Sequence, residues 1–153
     1  MKHRFLLDFN IIYHAVRGVD EHDEPDTTCA ELLLLIGRNC HTIVVNSYLF
    51  QEYLARLNEL FGTKAPALPP IYFLLQLLLK AEKFSQETEE LPPIPQGIEI
   101  PHEDIQIVRS TLVSQPILVA ADGELRDAVN SSSPILGVRA VRPGEALVLA
   151  HDS

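Results

Sequence analysis

Arg4-Phe5-Leu6-Leu7-Asp8-Phe9-Asn10-Ile11-Ile12-Tyr13-His14-Ala15-Val16 decides the reading of this chain. Phe5, Leu6 and Leu7 read as a buried strand, and Phe9, Ile11, Ile12 and Tyr13 resume the apolar run. Asp8 interrupts it. A carboxylate set among apolar side chains costs free energy unless it is paired, hydrogen-bonded or bound to a cation. The segment therefore reads as a strand over residues 4–8, an acid at its end, and a short helix closing near Gly18.

Working outward, strands and helices alternate. Thr28 and Glu31 form a T-x-x-E capping-box signature before a second helix over 29–38. His41–Val45 is a second strand, and Asn46 or Ser47 can cap the helix that follows. That helix carries Leu49, Phe50, Tyr53, Leu54, Leu57, Leu60 and Phe61 at helical spacing. A further helix is expected over 71–84, then a Pro-rich connector over 85–97 and a short strand at 98–100. Pro101 opens a helix reaching about Val113. Residues 116–121 form a buried strand and 123–129 a short helix. Residues 130–134 are a loop, 135–141 a last strand, and a short tail follows Pro143 and Gly144. The pattern predicts an α/β fold with a mainly parallel sheet, formed as a single domain over 1–153.

Composition narrows the function. With 46% hydrophobic and 22% charged residues, the 153-residue chain is ordinary for a globular domain. No apolar run approaches a membrane span, so no membrane role is expected. Cys29 and Cys40 form no CxxC motif and are expected to be buried small hydrophobes in a reducing cytoplasm. The formal charge of -9 opposes non-specific phosphate binding. Part of that charge lies in Asp20, Glu21, Asp23, Glu24 and Asp26, which read as a solvated loop. Six scattered histidines show no zinc spacing. No Walker A, GxGxxG or G-x-S-x-G sequence occurs.

The acids carry the signal. In an open α/β sheet, ligands bind beyond the carboxyl ends of the strands. Asp8 closes the first strand and Asp122 the strand over 116–121, where Gly123 turns the chain into a helix. Each is also a natural helix N-cap. Asp104 lies on the stripe of Val108 and Leu112, on the core side of its helix, whereas Glu103 points off that face. Glu52 falls on the solvated side of its helix by periodicity.

Taken together these residues resemble a PIN domain, the fold of VapC-type toxin nucleases. The carriers are "LLDFN" with Asp8, "SYLFQEYLARL" with Glu52, "HEDIQIVRSTL" with Asp104 and "ILVAADGEL" with Asp122, followed by a closing "VRPGEAL". Their order spans nearly the whole chain. The resemblance implies a three-layer sandwich, a mainly parallel central sheet with helices on both faces. It implies a metal-dependent endoribonuclease in which Asp8, Glu52, Asp104 and Asp122 hold Mg²⁺ or Mn²⁺. Asn10 and Glu124 would support the site, and Arg109 and Arg126 would contact RNA phosphates. Expected partners are the RNA substrate, an antitoxin protein and a second copy in a homodimer. Phe9 and Ala120 stand where the family commonly has hydroxyl side chains. That motivates the alternative of a weakly active or inactive RNA- or protein-binding module.

Overall fold

The structure is a computed structural model in which residues 1–61, 82–87 and 90–151 are described. Five parallel strands form one sheet, β1 (Arg4–Leu7), β2 (Thr42–Val45), β3 (Phe84–Gln86), β4 (Ile117–Val119) and β5 (Ala140–Val141). Their spatial order is β3-β2-β1-β4-β5. The α/β class with a parallel sheet is as expected. β1 is central, with Phe5, Leu6 and Leu7 fully buried. A strand walled by neighbours on both edges and helices above and below must be apolar at successive positions.

Helix α1 (Phe9–Arg17) follows β1 directly and ends at Gly18, whose φ of 66° is the left-handed cap that glycine adopts without steric cost. Helices α2 (Thr28–Arg38) and α3 (Ser47–Phe61) flank β2. A 3-10 turn (His102–Asp104) leads into α4 (Ile105–Thr111). After β4 come α5 (Gly123–Ser131), α6 (Ser133–Leu136) and, past β5, α7 (Pro143–His151).

Several expectations are corrected. The capping box at Thr28 does not form: Thr28 opens α2 as a helical residue and its hydroxyl donates to Asp26. Residues 84–86, split between a helix end and a connector, pair with β2 as a strand. Residues 98–100, expected as a strand, lie outside the sheet. Part of the expected loop and last strand is the short helix α6, which leaves β5 two residues long. The expected tail is α7, which buries Ala146 and Ala150. Its Ala150 carbonyl accepts from Asn39 and from the buried His41 ring, so the C-terminal helix is anchored beside β2. Cys40 is exposed rather than buried. Leu54 is exposed too, although its neighbours Leu49 and Tyr53 are buried as the stripe requires. The helix expected over 71–84 lies mostly outside the described residues.

The sheet order positions the site. From β1 the chain moves to β2 and β3 on one side, then returns to place β4 and β5 on the other. The direction of winding reverses between β1 and β4. A crevice opens at such a point beyond the carboxyl ends of the strands, and Asp8 and Asp122 follow those two strands.

Candidate active site

Asp8 sits one residue past β1 and is 5% exposed. Its backbone N–H donates to Val119 O at 2.9 Å, which ties it to the end of β4. Its Oδ1 accepts from Phe9 N at 2.8 Å, so it does cap α1. The cap engages one carboxylate oxygen, but Asp8 is far from comfortable. Burial first, then the charges of Asp104 and Asp122, push its pKa up to about 6, against relief from the Phe9 N–H and the Arg56 guanidinium. A carboxylate needed only as a cap would not face two others.

Asp104 ends the 3-10 turn and makes no capping hydrogen bond. Its Oδ2 is buried without a partner among the described residues. Burial, followed by Asp122, Glu103 and Glu124, drives its pKa up to about 6. The helical stripe is as read from the sequence: Val108 is fully buried and Leu112 packs on the core, whereas Glu103 is exposed. Asp122 is exposed and caps α5, its Oδ1 accepting from Glu124 N at 2.9 Å. Glu124 lies close enough to raise Asp104. Asn10 lines an open cleft of about 430 Å3 together with Asp122 and Gly123.

Glu52 reaches this group through Tyr48. The Tyr48 hydroxyl is pushed up by burial and then by the Glu52 and Asp8 carboxylates. The structure thus draws Asp8, Asp104, Asp122 and Glu124 into one electrostatic neighbourhood, with Glu52 joined at its margin.

The two arginines are held by backbone carbonyls. Arg109 donates through Nε to Pro92 O and through Nη2 to Leu91 O, at 2.9 and 2.7 Å. Arg126 gives Nη1 to the carbonyls of Ala120 and Ala121, at 2.8 and 2.7 Å. Both guanidinium groups fasten backbone near the site.

Three residues escaped sequence reasoning. Arg56, one turn beyond Glu52, is the cation that eases Asp8; the i,i+4 spacing from Glu52 was its signal. Tyr53 is 3% exposed, and its hydroxyl donates to Leu7 O in a short hydrogen bond. It fixes the strand end from which Asp8 projects. Tyr48 packs edge-on against Phe9 with ring centroids 6.0 Å apart. Phe9 therefore braces an aromatic where a hydroxyl was expected. Ala120 is fully buried and offers its carbonyl to Arg126.

The donor set suits a hard divalent cation: oxygen ligands only, two carboxyls whose pKa values are raised by burial and then by neighbouring acids, and one orphaned buried oxygen. Among the described residues, no group of three or more His, Cys, Asp or Glu side chains is already close enough to enclose a metal ion.

No protein-family profile matches the chain, and no curated protein matches it. The fold is similar to that of a PilT N-terminus domain protein from the hyperthermophilic archaeon Sulfolobus solfataricus P2, with a TM-score of 0.51 and 13% sequence identity over 98% of this chain and 95% of that one. At that identity the likeness shows the fold alone, an α/β architecture on a parallel sheet like that protein's. Among the described residues, no helix is long and apolar enough to cross a membrane.

Proposed function

We propose that this chain is a divalent-metal-dependent nuclease acting on RNA, with Asp8, Asp104 and Asp122 as the metal-holding carboxylates. The observation that carries this reading is Asp104: a carboxylate oxygen buried without a partner among the described residues, on a group whose pKa is raised by burial and then by the charges of Asp122, Glu103 and Glu124. Structural capping accounts for neither feature. A bound Mg²⁺ or Mn²⁺ would supply Lewis-acid polarisation of a phosphodiester and a more acidic water. Asp8 and Asp104 would hold the cation at the switch point, and Asp122 with Glu124 would close its side. Glu52, beside Tyr48, would orient water rather than ligate, because it lies at the margin. Tyr53 and Arg126 would hold the two strand ends in place.

The finer reading is that of a toxin-type endoribonuclease, cytoplasmic and restrained by an antitoxin protein. The order of the acidic motifs along the chain supports it. A second reading, a weakly active RNA- or protein-binding module, is favoured by Phe9 and Ala120, which leave the carboxylates without hydroxyl support.

Cleavage of a mixed RNA pool with Mg²⁺, Mn²⁺ or EDTA tests the proposal. The parent should cut with either metal and stop with EDTA, and Asp104→Asn should lose at least a hundredfold in rate. An Asp104→Asn protein that cuts as fast as the parent would overturn the site. A parent that cuts no RNA would leave the binding-module reading.

A further inference from the structure

A second cleft opens beyond the carboxyl end of β2, at the same sheet edge as the acids. It measures about 510 Å3 and is lined by Asn46, Ser47, Tyr48, Gln51, Leu91 and Gln106. That volume suits a small organic group. Its lining contains no charged side chain, which sets it apart from the acidic switch point. Tyr48 belongs to both, since its hydroxyl feels Glu52 and Asp8. We propose that this cleft is a nucleobase subsite that takes one unpaired base of a single-stranded nucleic acid, stacked on Tyr48 and read by Gln51 and Gln106. The inference rests on the nuclease reading above for its placement and adds the feature by which substrate is chosen.

The cleft is built. Asn46 is 4% exposed; its Nδ2 donates to Ser110 Oγ at 2.9 Å and its Oδ1 accepts from Leu49 N at 2.8 Å. Ser110 in turn donates to Gln106 O at 2.8 Å, so the floor and one wall are a single network. Arg109 joins the other wall: its guanidinium holds Leu91 O and meets Gln106 Oε1 at 3.5 Å. With its carbonyl turned to Arg109, Gln106 has its NH₂ group left as a donor. Phe9 braces the Tyr48 ring edge-on.

The charge balance points to bases as well. At a formal charge of -9 the chain offers little net attraction to phosphates. Contacts to the bases would then add to whatever phosphate affinity a bound cation supplies. Aromatic stacking with carboxamide hydrogen bonds supplies such contacts for unstacked bases, which a duplex withholds. A donor at Gln106 favours a base edge bearing a carbonyl, as in uracil, over the amino edge of adenine.

Fluorescence anisotropy on the full chain tests this, using labelled rU6, rA6 and an abasic ribose-phosphate hexamer with Ca²⁺ in place of Mg²⁺. The expected result is rU6 bound at least tenfold more tightly than the abasic strand. Tyr48→Ala should lose about tenfold on rU6 and nothing on the abasic strand, in keeping with the worth of one stacked base. Tyr48→Phe should bind as the parent, and Gln106→Leu should erase the preference of uracil over adenine. Equal binding of rU6 and the abasic strand, or a folded Tyr48→Ala that binds rU6 as the parent does, would overturn the subsite. RNA cleavage with either of those outcomes would retain the nuclease and remove the subsite. Base-dependent binding without cleavage would do the reverse.

Discussion

Replacing Asp8 by Asn should stabilise the metal-free protein. The carboxyl's pKa stands at about 6 in the folded chain against 3.8 for the free side chain. A difference of roughly 2 units corresponds to about 3 kcal/mol. The sign follows from linkage. A carboxyl whose folded pKa is raised is ionised at an energetic cost, so the cost is absent below pH 3.8, grows through the interval to about 6, and is complete above it. Asparagine keeps the oxygen that accepts from Phe9 N and removes the charge that faces Asp104 and Asp122. Its own desolvation retains part of the cost, which leaves a gain of about 1–3 kcal/mol at pH 7.5. For a domain of this size that is a rise in Tm of roughly 2–12 °C. Thermal melts in EDTA from pH 4 to pH 8 measure it. The Asp8→Asn advantage should be near zero at pH 4 and reach a plateau by about pH 7. An Asp8→Asn protein that melts below the parent across the whole range would show that Asp8 is a structural cap and would refute the reasoning.

Asp104→Ala should weaken Mn²⁺ binding at least tenfold in calorimetric titration, while Glu103→Ala stays within twofold of the parent, because only Asp104 turns a buried oxygen into the site. Tyr53→Phe should cost about 1–2 kcal/mol by stranding the Leu7 carbonyl, and urea melts should show it as a lower midpoint. Asn46→Ala removes both a helix cap and the Ser110 contact; a loss of about 2 kcal/mol in the same assay is expected. Mn²⁺ at a hundredfold excess over its Kd should stabilise the parent by about 2.7 kcal/mol, and Asp8→Asn should lose most of that rise.

The central elements were legible because their physics is local. Phe5-Leu6-Leu7 can only be an interior strand, and Asp8 and Asp122 fall at strand ends where the chain must turn. The 3.6-residue period alone placed Asp104 inward and Glu103 outward. What was hidden depends on distant partners. Ser85 and Gln86 carry no strand pattern of their own; β3 exists because β2 offers an edge to pair with. Residues 98–100 alternate like a strand but pair with no strand of the sheet. The 143–151 segment looked like a tail, since its apolar residues 146–150 are consecutive and form no stripe, yet Ala146 and Ala150 are small enough to press flat against the core. The backbone partners of Arg109 and Arg126 were hidden, because charge says nothing of which carbonyl lies within reach. Tyr53 was counted as apolar stripe and Tyr48 was given no role; their hydroxyls gain meaning only beside Leu7 and Asp8.

The central claim is that Asp8, Asp104 and Asp122 together hold a divalent cation. Anomalous scattering at the manganese edge, from crystals of the chain grown with Mn²⁺, tests it most directly. The account predicts a peak at the carboxyl ends of β1 and β4, within ligand distance of Asp8 and Asp104. A well-ordered, Mn²⁺-saturated crystal with no peak there, or with manganese only on the acidic loop of residues 20–26, would contradict it.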